Sequence, residues 1–211
     1  NIKWFMFLSQ QLVALKRILP NLCRQPEFIT MFLDEARVAS KLSHPNVVQV
    51  FDFGEVEGQY FIAMEYLAGE SLGTLVRQAQ SIGHLVPLKV ALQLVIGICD
   101  GLHYAHYYAD DGKLLNLVHR DISPHNVMVT YQGGVKLLDF GIARAADRRQ
   151  ERTETGVVKG KFPYCSPEQL AATAPLDRRS DIFSLGIVVH EMLTGTRLFK
   201  RETDVQTCFA V

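Results

Sequence analysis

The sequence has no excess of charge of either sign. Lysine and arginine together number 22, as do aspartate and glutamate, so the formal net charge at pH 7 is +0. Without a net charge there is no long-range field to attract nucleic acid or an anionic membrane surface. We therefore expect no nucleic-acid partner, and any charged ligand must be held by a local group of side chains.

Paired cysteines are also lacking. The chain has four cysteines, and none of them belongs to a C-x-x-C motif. This scatter argues against a zinc ribbon and against a disulfide framework, and it is typical of a reducing compartment. We accordingly predict a cytoplasmic location.

The start of the chain lacks an apolar run long enough for a membrane. The first ten residues, NIKWFMFLSQ, are apolar over only a few positions and show no signal-peptide cleavage pattern. Internal repeats and low-complexity segments are not visible either. We expect no membrane contact by this segment.

What the chain does have is enough apolar composition to bury a core. It contains 211 residues, 48% of them hydrophobic, which fits one large domain or two small lobes. Strand-like segments come first, at 12–19 and in a hairpin around EVEGQ at 55–59, and helical segments dominate later. This order predicts a small sheet-rich lobe over residues 1–66 and a helical lobe over 67–211.

A helix is predicted after Pro26, with an acidic residue inside its apolar face. Five residues repeat at 4-3-4-3 spacing and therefore share one face of the helix: Phe28, Phe32, Glu35, Ala39 and Leu42. A carboxylate in an apolar stripe is costly unless it is paired. Glu35 thus predicts a cation supplied by another segment.

Two further helices and a second hairpin are predicted beyond residue 66. Apolar residues recur at helical spacing over 87–106, and the next ten residues, YYADDGKLLN, have the composition of a polar loop. Residues 127–129 and 135–138 flank YQGG, whose paired glycines suit a tight turn. The segment 182–193 is apolar nearly all round, which is typical of a buried helix.

A polar octet, HRDISPHN, lies between apolar segments within VHRDISPHNVMV at 118–129. Its strand-like flanks point to a buried sheet, so the octet is expected in a loop at the edge of that sheet. Side chains in such a loop are held in place and can still reach a ligand. The octet is therefore a candidate site.

The octet is one of five motifs that follow a recognisable order. VALK (13–16) precedes it, and LLDFGIAR (137–144), YCSPEQ (164–169) and SDIFSLG (180–186) come after it. With an H-R-D-x-x-x-x-N loop, a D-F-G triplet and a Ser-Pro-Glu variant of A-P-E, the chain resembles the protein kinase family. GKFPYCSPEQ and HEMLTGTRLF are most similar to the bacterial serine/threonine kinases.

The resemblance implies an α+β fold with two lobes, a small β-rich N-lobe and a larger helical C-lobe, both incomplete here. No G-x-G-x-x-G precedes Lys16, and residues 1–12 contain no glycine. We therefore expect the phosphate-covering loop and its strands to be absent or replaced. The family's later helices are missing too, including the arginine expected to pair with Glu168.

The resemblance also implies which residues act in phosphate transfer. Asp121 would accept the proton of the substrate hydroxyl or orient that hydroxyl, and Lys16 would contact the α- and β-phosphates of ATP while pairing with Glu35. Asn126 and Asp139 would hold Mg²⁺, which prefers hard oxygen ligands. Such positioning and charge neutralisation are what phosphoryl transfer requires.

An adenine pocket is implied by the same comparison. Ala14 and Met128 would sandwich the adenine ring, and the Glu65 carbonyl and Leu67 amide would contact its edge. Met64 would control the back of the pocket, although ordinary core packing explains a methionine at this position equally well.

Four further positions carry implied roles. Arg120 is similar to the family's arginine that binds a phosphorylated activation loop, and Thr153 and Thr155 are candidate sites of self-phosphorylation. Asp181 has two interpretations that are compatible: it caps the following helix, or it bonds the backbone of the catalytic loop.

Ser123 departs from the family pattern. Serine/threonine kinases usually place a lysine two positions after the catalytic aspartate, and a threonine in the segment before A-P-E bonds both residues. Here Ser123 replaces the lysine, and Lys161 replaces the threonine. Our hypothesis is an exchange, in which Lys161 reaches the γ-phosphate and Ser123 bonds Asp121. A solvated Lys161 is the alternative.

Two functions are consistent with the sequence. The first is an ATP-dependent serine/threonine protein kinase that acts on protein substrates in signalling, and retention of the five residues Lys16, Glu35, Asp121, Asn126 and Asp139 favours it. The second is a non-catalytic pseudokinase or truncated fragment that binds nucleotide or protein. The missing glycine loop favours this alternative.

Overall fold

The computed structural model describes residues 2–8, 11–18, 23, 25–140, 162–171 and 175–211. The first part of the chain forms a four-stranded antiparallel sheet, ordered β1-β2-β4-β3, with one helix. Its elements are β1 (Ile2–Leu8), β2 (Gln11–Arg17), α1 (Pro26–Lys41), β3 (Val50–Val56) and β4 (Gln59–Glu65).

The second part is mainly helical and holds two small sheets. A three-stranded antiparallel sheet has the order β5-β8-β9, and β6 pairs with β7. The elements are β5 (Gly69–Ser71), α2 (Leu72–Ser81), α3 (Leu88–His106), β6 (Ala109–Asp110), β7 (Lys113–Leu114), β8 (Val127–Thr130), β9 (Val135–Leu137), α4 (Pro167–Ala171), α5 (Arg179–Thr194) and α6 (Asp204–Ala210). The predicted α+β class is confirmed, and the lobe boundary after residue 66 stays a prediction.

Helix α1 packs its predicted apolar face against the first sheet. Proline opens this helix at a position where the missing N–H is not needed. Ala36 is fully buried, and Phe32 and Ala39 pack against a cluster that includes Ile62 and Met64 of β4. Burial of this face fixes the rotation of α1, and thereby the direction in which Glu35 points.

A strand, β1, precedes β2 and pairs with it in antiparallel register, although residues 1–12 contain no glycine. Of the two expectations for the strands before Lys16, absence is therefore wrong and replacement stays a prediction. A prediction about a later segment also needs correction. The segment predicted as a polar loop, YYADDGKLLN, contains the β6–β7 hairpin, whose turn residues Asp111 and Gly112 have φ angles of 48° and 77°. An Asp-Gly turn with two positive φ angles is a strong hairpin signal.

The main core lies between α3, α5 and the β8–β9 hairpin. Ile98 and Leu102 of α3 are buried there against Val188 of α5. Helix α5 is longer than predicted, and Ile182 and Leu193 are 53% and 36% exposed, so the prediction of apolar burial all round was wrong. One side of α5 faces the core and the other does not.

Among the described residues, α3 is the helix whose length and composition would allow it to cross a membrane. Eight of its residues are buried in the folded chain, among them Leu94 and Ile98, whereas Leu92 and Ile96 are exposed. The absence of membrane contact stays a prediction.

Candidate active site

Lys16 lies at the centre of the site. It belongs to β2, where it pairs with Ile62 of β4, and its Nζ lies 2.9 Å from Glu35 Oε1 and 2.8 Å from Asp139 Oδ1. The predicted pairing of Lys16 with Glu35 is confirmed. Because Asp139 also contacts Lys16, one ammonium joins a strand, helix α1 and the segment that follows β9.

Burial and electrostatic attraction shift the pKa values of Lys16 and Glu35. Burial by itself lowers the pKa of Lys16, but the carboxylates of Asp139 and Glu35 outweigh it and hold that pKa well above its ordinary value. Burial raises the pKa of Glu35, and attraction to Lys16 only partly opposes this effect. Lys16 is therefore cationic at neutral pH, while Glu35 protonates more readily than an exposed glutamate.

The catalytic-loop backbone is anchored by Asp181. The carboxylate of this residue, which is 1% exposed, accepts hydrogen bonds from the backbone N–H groups of His119 and Arg120, each at 2.8 Å. His106 Nε2 lies 2.8 Å from the same carboxylate. Asp181 is the third residue of α5, whose N-cap is Arg178, so its predicted bond to the loop is confirmed and its predicted capping role is wrong.

Two residues of the site have left-handed backbone conformations. Arg120 has a φ angle of 66° and Asp139 one of 49°, a conformation that costs a non-glycine residue about 1 kcal/mol. Such geometry persists only where the surroundings enforce it. The bonds to Asp181 provide this enforcement for Arg120, and Gln169 Nε2 adds a further bond to the Arg120 carbonyl at 2.9 Å.

Asp121 is oriented by the asparagine of the same loop. Asn126 Nδ2 donates to Asp121 Oδ2 at 2.7 Å and to the Asp121 carbonyl at 2.8 Å. Asn126 lies in a 3₁₀ turn that begins at Pro124. With its amide nitrogen used in this way, Asn126 offers its amide oxygen as the atom for a cation.

The catalytic loop and the D-F-G segment are bonded to each other. Leu138 N donates to the Asn126 carbonyl at 2.9 Å, and His119 Nε2 lies 2.9 Å from the Leu138 carbonyl. The His119 ring also packs on Phe140, with centroids 4.6 Å apart. These contacts tie the residue before Asp139 to the backbone of Asn126, and the shared metal site of Asp139 and Asn126 stays a prediction.

The hypothesis of a Ser123–Asp121 bond fails in the structure. Within the part of the chain that is described, the Ser123 hydroxyl is buried and has no hydrogen-bond partner. The other half of the hypothesis rests on Lys161, which lies outside the described residues, as do Thr153 and Thr155. The roles assigned to these three residues stay predictions.

The predicted adenine-facing residues come from both sheets. Ala14 of β2 pairs with Met64 of β4, and both are buried. Met64 packs in the core of the first sheet, as one of its two interpretations predicts, and it also lines a small cavity beside Glu35 and Asp139. Its control of the back of the adenine pocket stays a prediction. Leu67 packs against the same core.

Met128 lies on the second sheet and pairs with Lys136 of β9. Glu65 is the last residue of β4. Its backbone N–H donates a hydrogen bond to the Gln49 carbonyl at 2.9 Å. The roles of these residues toward adenine stay predictions.

The oxygen donors fit a magnesium ion that is shared with a ligand. Asp139 supplies a carboxylate and Asn126 an amide oxygen, which are hard donors. Among the described residues, no three histidine, cysteine or acidic side chains form a metal site on their own. A magnesium ion here would therefore need further oxygen atoms, such as those of bound phosphates.

Sequence reasoning missed several supporting residues of this site. The His106 ring contacts the Asp181 carboxylate, and the Gln169 amide donates to the Arg120 carbonyl. His119 connects the catalytic loop to the D-F-G segment through the Leu138 carbonyl. His106 ends the helix predicted over 87–106, and its partner Asp181 is 75 positions away, beyond the reach of a local pattern. His119 and Gln169 both lie within motifs of the sequence, H-R-D and Ser-Pro-Glu-Gln, and this position was the available signal that they support the site.

Known proteins share both the sequence and the fold of this chain. A family model described as protein kinase domain matches residues 5–210. Tyrosine-protein kinase MasK of Myxococcus xanthus (strain DK1622) is 53% identical over 194 residues, which cover 92% of this chain and 30% of that protein. Serine/threonine-protein kinase PknB of Mycolicibacterium smegmatis (strain ATCC 700084 / mc(2)155) is 37% identical over 202 residues, or 93% of this chain and 30% of that protein.

A solved structure agrees with these relatives. The PknI kinase domain of Mycobacterium tuberculosis, crystallised as a single-residue mutant, superposes with a TM-score of 0.67 at 29% identity. The match covers 90% of this chain and 66% of that one. The chain thus spans 30% of the length of the curated relatives and about two thirds of a solved domain.

Proposed function

The chain belongs to the protein kinase domain family, and we propose that it is part of an ATP-dependent kinase that phosphorylates serine and threonine hydroxyls of protein substrates in cytoplasmic signalling. The observation that carries the proposal is the convergence of Lys16, Glu35 and Asp139 within 3 Å contacts, together with an Asp121 carboxylate oriented by Asn126. A scaffold has no chemical need for this whole arrangement.

Each residue has a definite task in this proposal. Lys16 presents its ammonium to the α- and β-phosphates, and Glu35 keeps that ammonium at the mouth of the site. Asp121 accepts the proton of the substrate hydroxyl as the oxygen attacks the γ-phosphorus, and ADP leaves with the electron pair of the broken P–O bond. Asn126 keeps the Asp121 carboxylate in the orientation that this proton transfer needs.

Magnesium would be held by Asp139 and Asn126 together with phosphate oxygens. When bound, it neutralises the charge on the phosphates. The Asp139 carboxylate also lies 2.8 Å from the Lys16 ammonium. The backbone bond from Leu138 N to the Asn126 carbonyl links the segment that carries Asp139 to the loop that carries Asn126, which supports this shared role.

The acceptor hydroxyl has a second candidate, tyrosine. Ser123 replaces the lysine that accompanies serine/threonine specificity in the family, and a relative at 53% identity is named a tyrosine-protein kinase. We place serine and threonine first because the relatives at 37% identity are named serine/threonine kinases. Self-phosphorylation at Thr153 or Thr155 is part of the same proposal.

Three matched peptides test the function and the acceptor together. They are identical except for serine, threonine or tyrosine at one position, and each is incubated with Mg²⁺ and ATP. Asp121→Asn serves as the blank, because it removes the proton acceptor and keeps the size of the side chain. We expect phosphate on the serine and threonine peptides with the parent alone.

Transfer only to the tyrosine peptide would show that the acceptor is tyrosine, and the proposed kinase reaction would stand. No transfer by the parent, combined with a rise in its melting temperature on adding nucleotide, would support a non-catalytic nucleotide-binding module instead.

A further inference from the structure

A second ion pair connects the two sheets that flank the candidate adenine site. Glu65 Oε1 lies 2.5 Å from Lys136 Nζ, and the same oxygen accepts a hydrogen bond from Gln49 N at 2.7 Å. The side chains of Glu65 and Lys136 are 22% and 19% exposed. This carboxylate is thus largely removed from water and is satisfied by two donors.

The two partners come from different sheets and lie next to residues that are predicted to face adenine. Glu65 ends β4 and follows Met64, whereas Lys136 lies in β9 directly opposite Met128. Paired residues of antiparallel strands project to the same face of a sheet. The ion pair therefore joins the strand end that carries Met64 to the hairpin that carries Met128.

The backbone around Lys136 is already fixed to the loop that precedes β3. Val48 N donates to the Leu137 carbonyl at 2.9 Å, and Leu137 N donates to the Asn46 carbonyl at 2.8 Å. Helix α3 packs closely on this loop, since a Cβ at Gly101 would lie 2.8 Å from the Asn46 carbonyl oxygen. Backbone hydrogen bonds therefore already connect β9 to this loop. The ion pair adds a direct side-chain link from β9 to the end of β4.

We propose that Glu65 and Lys136 form a positioning pair that sets the separation of the two walls of the nucleotide pocket; the consequence for nucleotide binding rests on the proposed function. Breaking a largely buried pair leaves one charge unpaired and removes the link. The walls then sample wider separations. Nucleotide then binds only those chains whose walls have the closer separation. The apparent affinity equals the intrinsic affinity multiplied by the fraction of chains in that arrangement.

A double-mutant cycle measures this coupling. Lys136→Met keeps most of the apolar stem and removes the charge, and Glu65→Gln keeps an acceptor for the Gln49 N–H group. We expect each single variant to bind Mg²⁺–ATP about tenfold more weakly in calorimetry. The double variant should bind no more weakly than the weaker single one, because both changes remove the same interaction.

Two control variants separate this role from general effects of substitution. Lys136→Arg retains a cation and should bind within about twofold of the parent. Lys113→Met removes an exposed lysine of the β6–β7 hairpin and should not change the affinity. Unchanged binding in both single variants, tighter binding, or additive losses in the double variant would each overturn the proposal.

Amide hydrogen exchange without nucleotide tests the pair independently of the kinase reaction. We expect faster exchange in residues 59–65 and 127–130 for Lys136→Met and Glu65→Gln, and parent-like exchange for Lys136→Arg. If the parent binds no nucleotide, the proposed function fails, and this readout still decides whether the pair holds the sheets. Exchange equal to the parent in both single variants would refute the pair.

Discussion

Ser123 shows, at the scale of the residue, how a buried group can lack the bond that its sequence position suggests. Its hydroxyl is 2% exposed and unpartnered within the described part of the chain. Leaving a hydroxyl buried without a bond costs about 1–3 kcal/mol relative to one that is satisfied. The hydroxyl of Ser123 therefore lowers the stability of the folded chain, although the Ser123 carbonyl accepts a hydrogen bond from Asn126 N.

Ser123→Ala should accordingly stabilise the protein. We expect the free energy of unfolding in urea to rise by about 1 kcal/mol, because the substitution removes an unsatisfied hydroxyl at little cost in volume. Ser184→Ala is the matched control: Ser184 is also buried, but its Oγ lies 2.7 Å from the Tyr164 carbonyl. That variant should lose stability, and a loss of stability in Ser123→Ala would contradict the account.

Glu35 carries the second prediction at this scale. Burial raises its pKa, so the carboxyl should titrate above the usual range for glutamate, which is centred at about 4.3. With a raised pKa in the folded chain, its contribution to stability is complete below that range and is lost as the pH rises through the folded-state pKa. The ion pair with Lys16 forms over the same interval.

Carbon NMR of labelled glutamate side chains measures this titration directly, and Glu35→Gln assigns the resonance. A midpoint at or below the usual glutamate range would show that attraction to Lys16 outweighs burial.

Lys161 gives the third prediction, since its role as a replacement for the lysine lost at position 123 is still open. If its ammonium reaches the γ-phosphate, Lys161→Ala should lower kcat by about a hundredfold, the loss of one charge-stabilising contact. Lys159→Ala is the control, because it removes the same charge from the same segment. Small and equal losses from both variants would contradict this role.

At the scale of the element, helix α5 acts as the support for the catalytic loop. Asp181 projects from its first turn and receives two backbone N–H groups of a loop 61 and 62 positions away. His106 brings α3 into the same contact. One buried carboxylate thus fixes the left-handed backbone at Arg120, and with it the position of Asp121.

Asp181→Asn should destabilise the protein by about 2–4 kcal/mol, since the amide replaces one acceptor by a donor facing an N–H group. Urea unfolding checks this value. Asp100→Asn, at an exposed position of α3, should leave the unfolding midpoint unchanged. If the two variants unfold at the same urea concentration, the carboxylate does not support the loop.

The elements themselves were largely predictable from local sequence patterns. Apolar periodicity and turn residues predict the strand with Lys16, helix α1, both longer hairpins and α5. The position of Glu35 in an apolar stripe predicted that a cation from another segment would pair with it. The β6–β7 hairpin was missed although Asp111-Gly112 is a strong turn signal. Strands of two residues are too short to show alternation.

At the scale of the whole molecule, the site exists because distant segments meet. Lys16 and Asp139 are 123 positions apart, and Glu65 and Lys136 are 71 apart. For the first of these contacts, the resemblance implied a role for each residue, Lys16 at the phosphates and Asp139 at Mg²⁺, but not the ion pair between them. Neither that resemblance nor local pattern identified the second, because it depends on the register of two strands in different sheets.

The central claim is that this assembly transfers phosphate, and intact-mass spectrometry tests it most directly. The chain is incubated with Mg²⁺ and ATP beside its Asp121→Asn variant, and both masses are recorded over time. The account predicts that the parent gains phosphate and the variant gains none. Equal masses for both, before and after incubation, would contradict it.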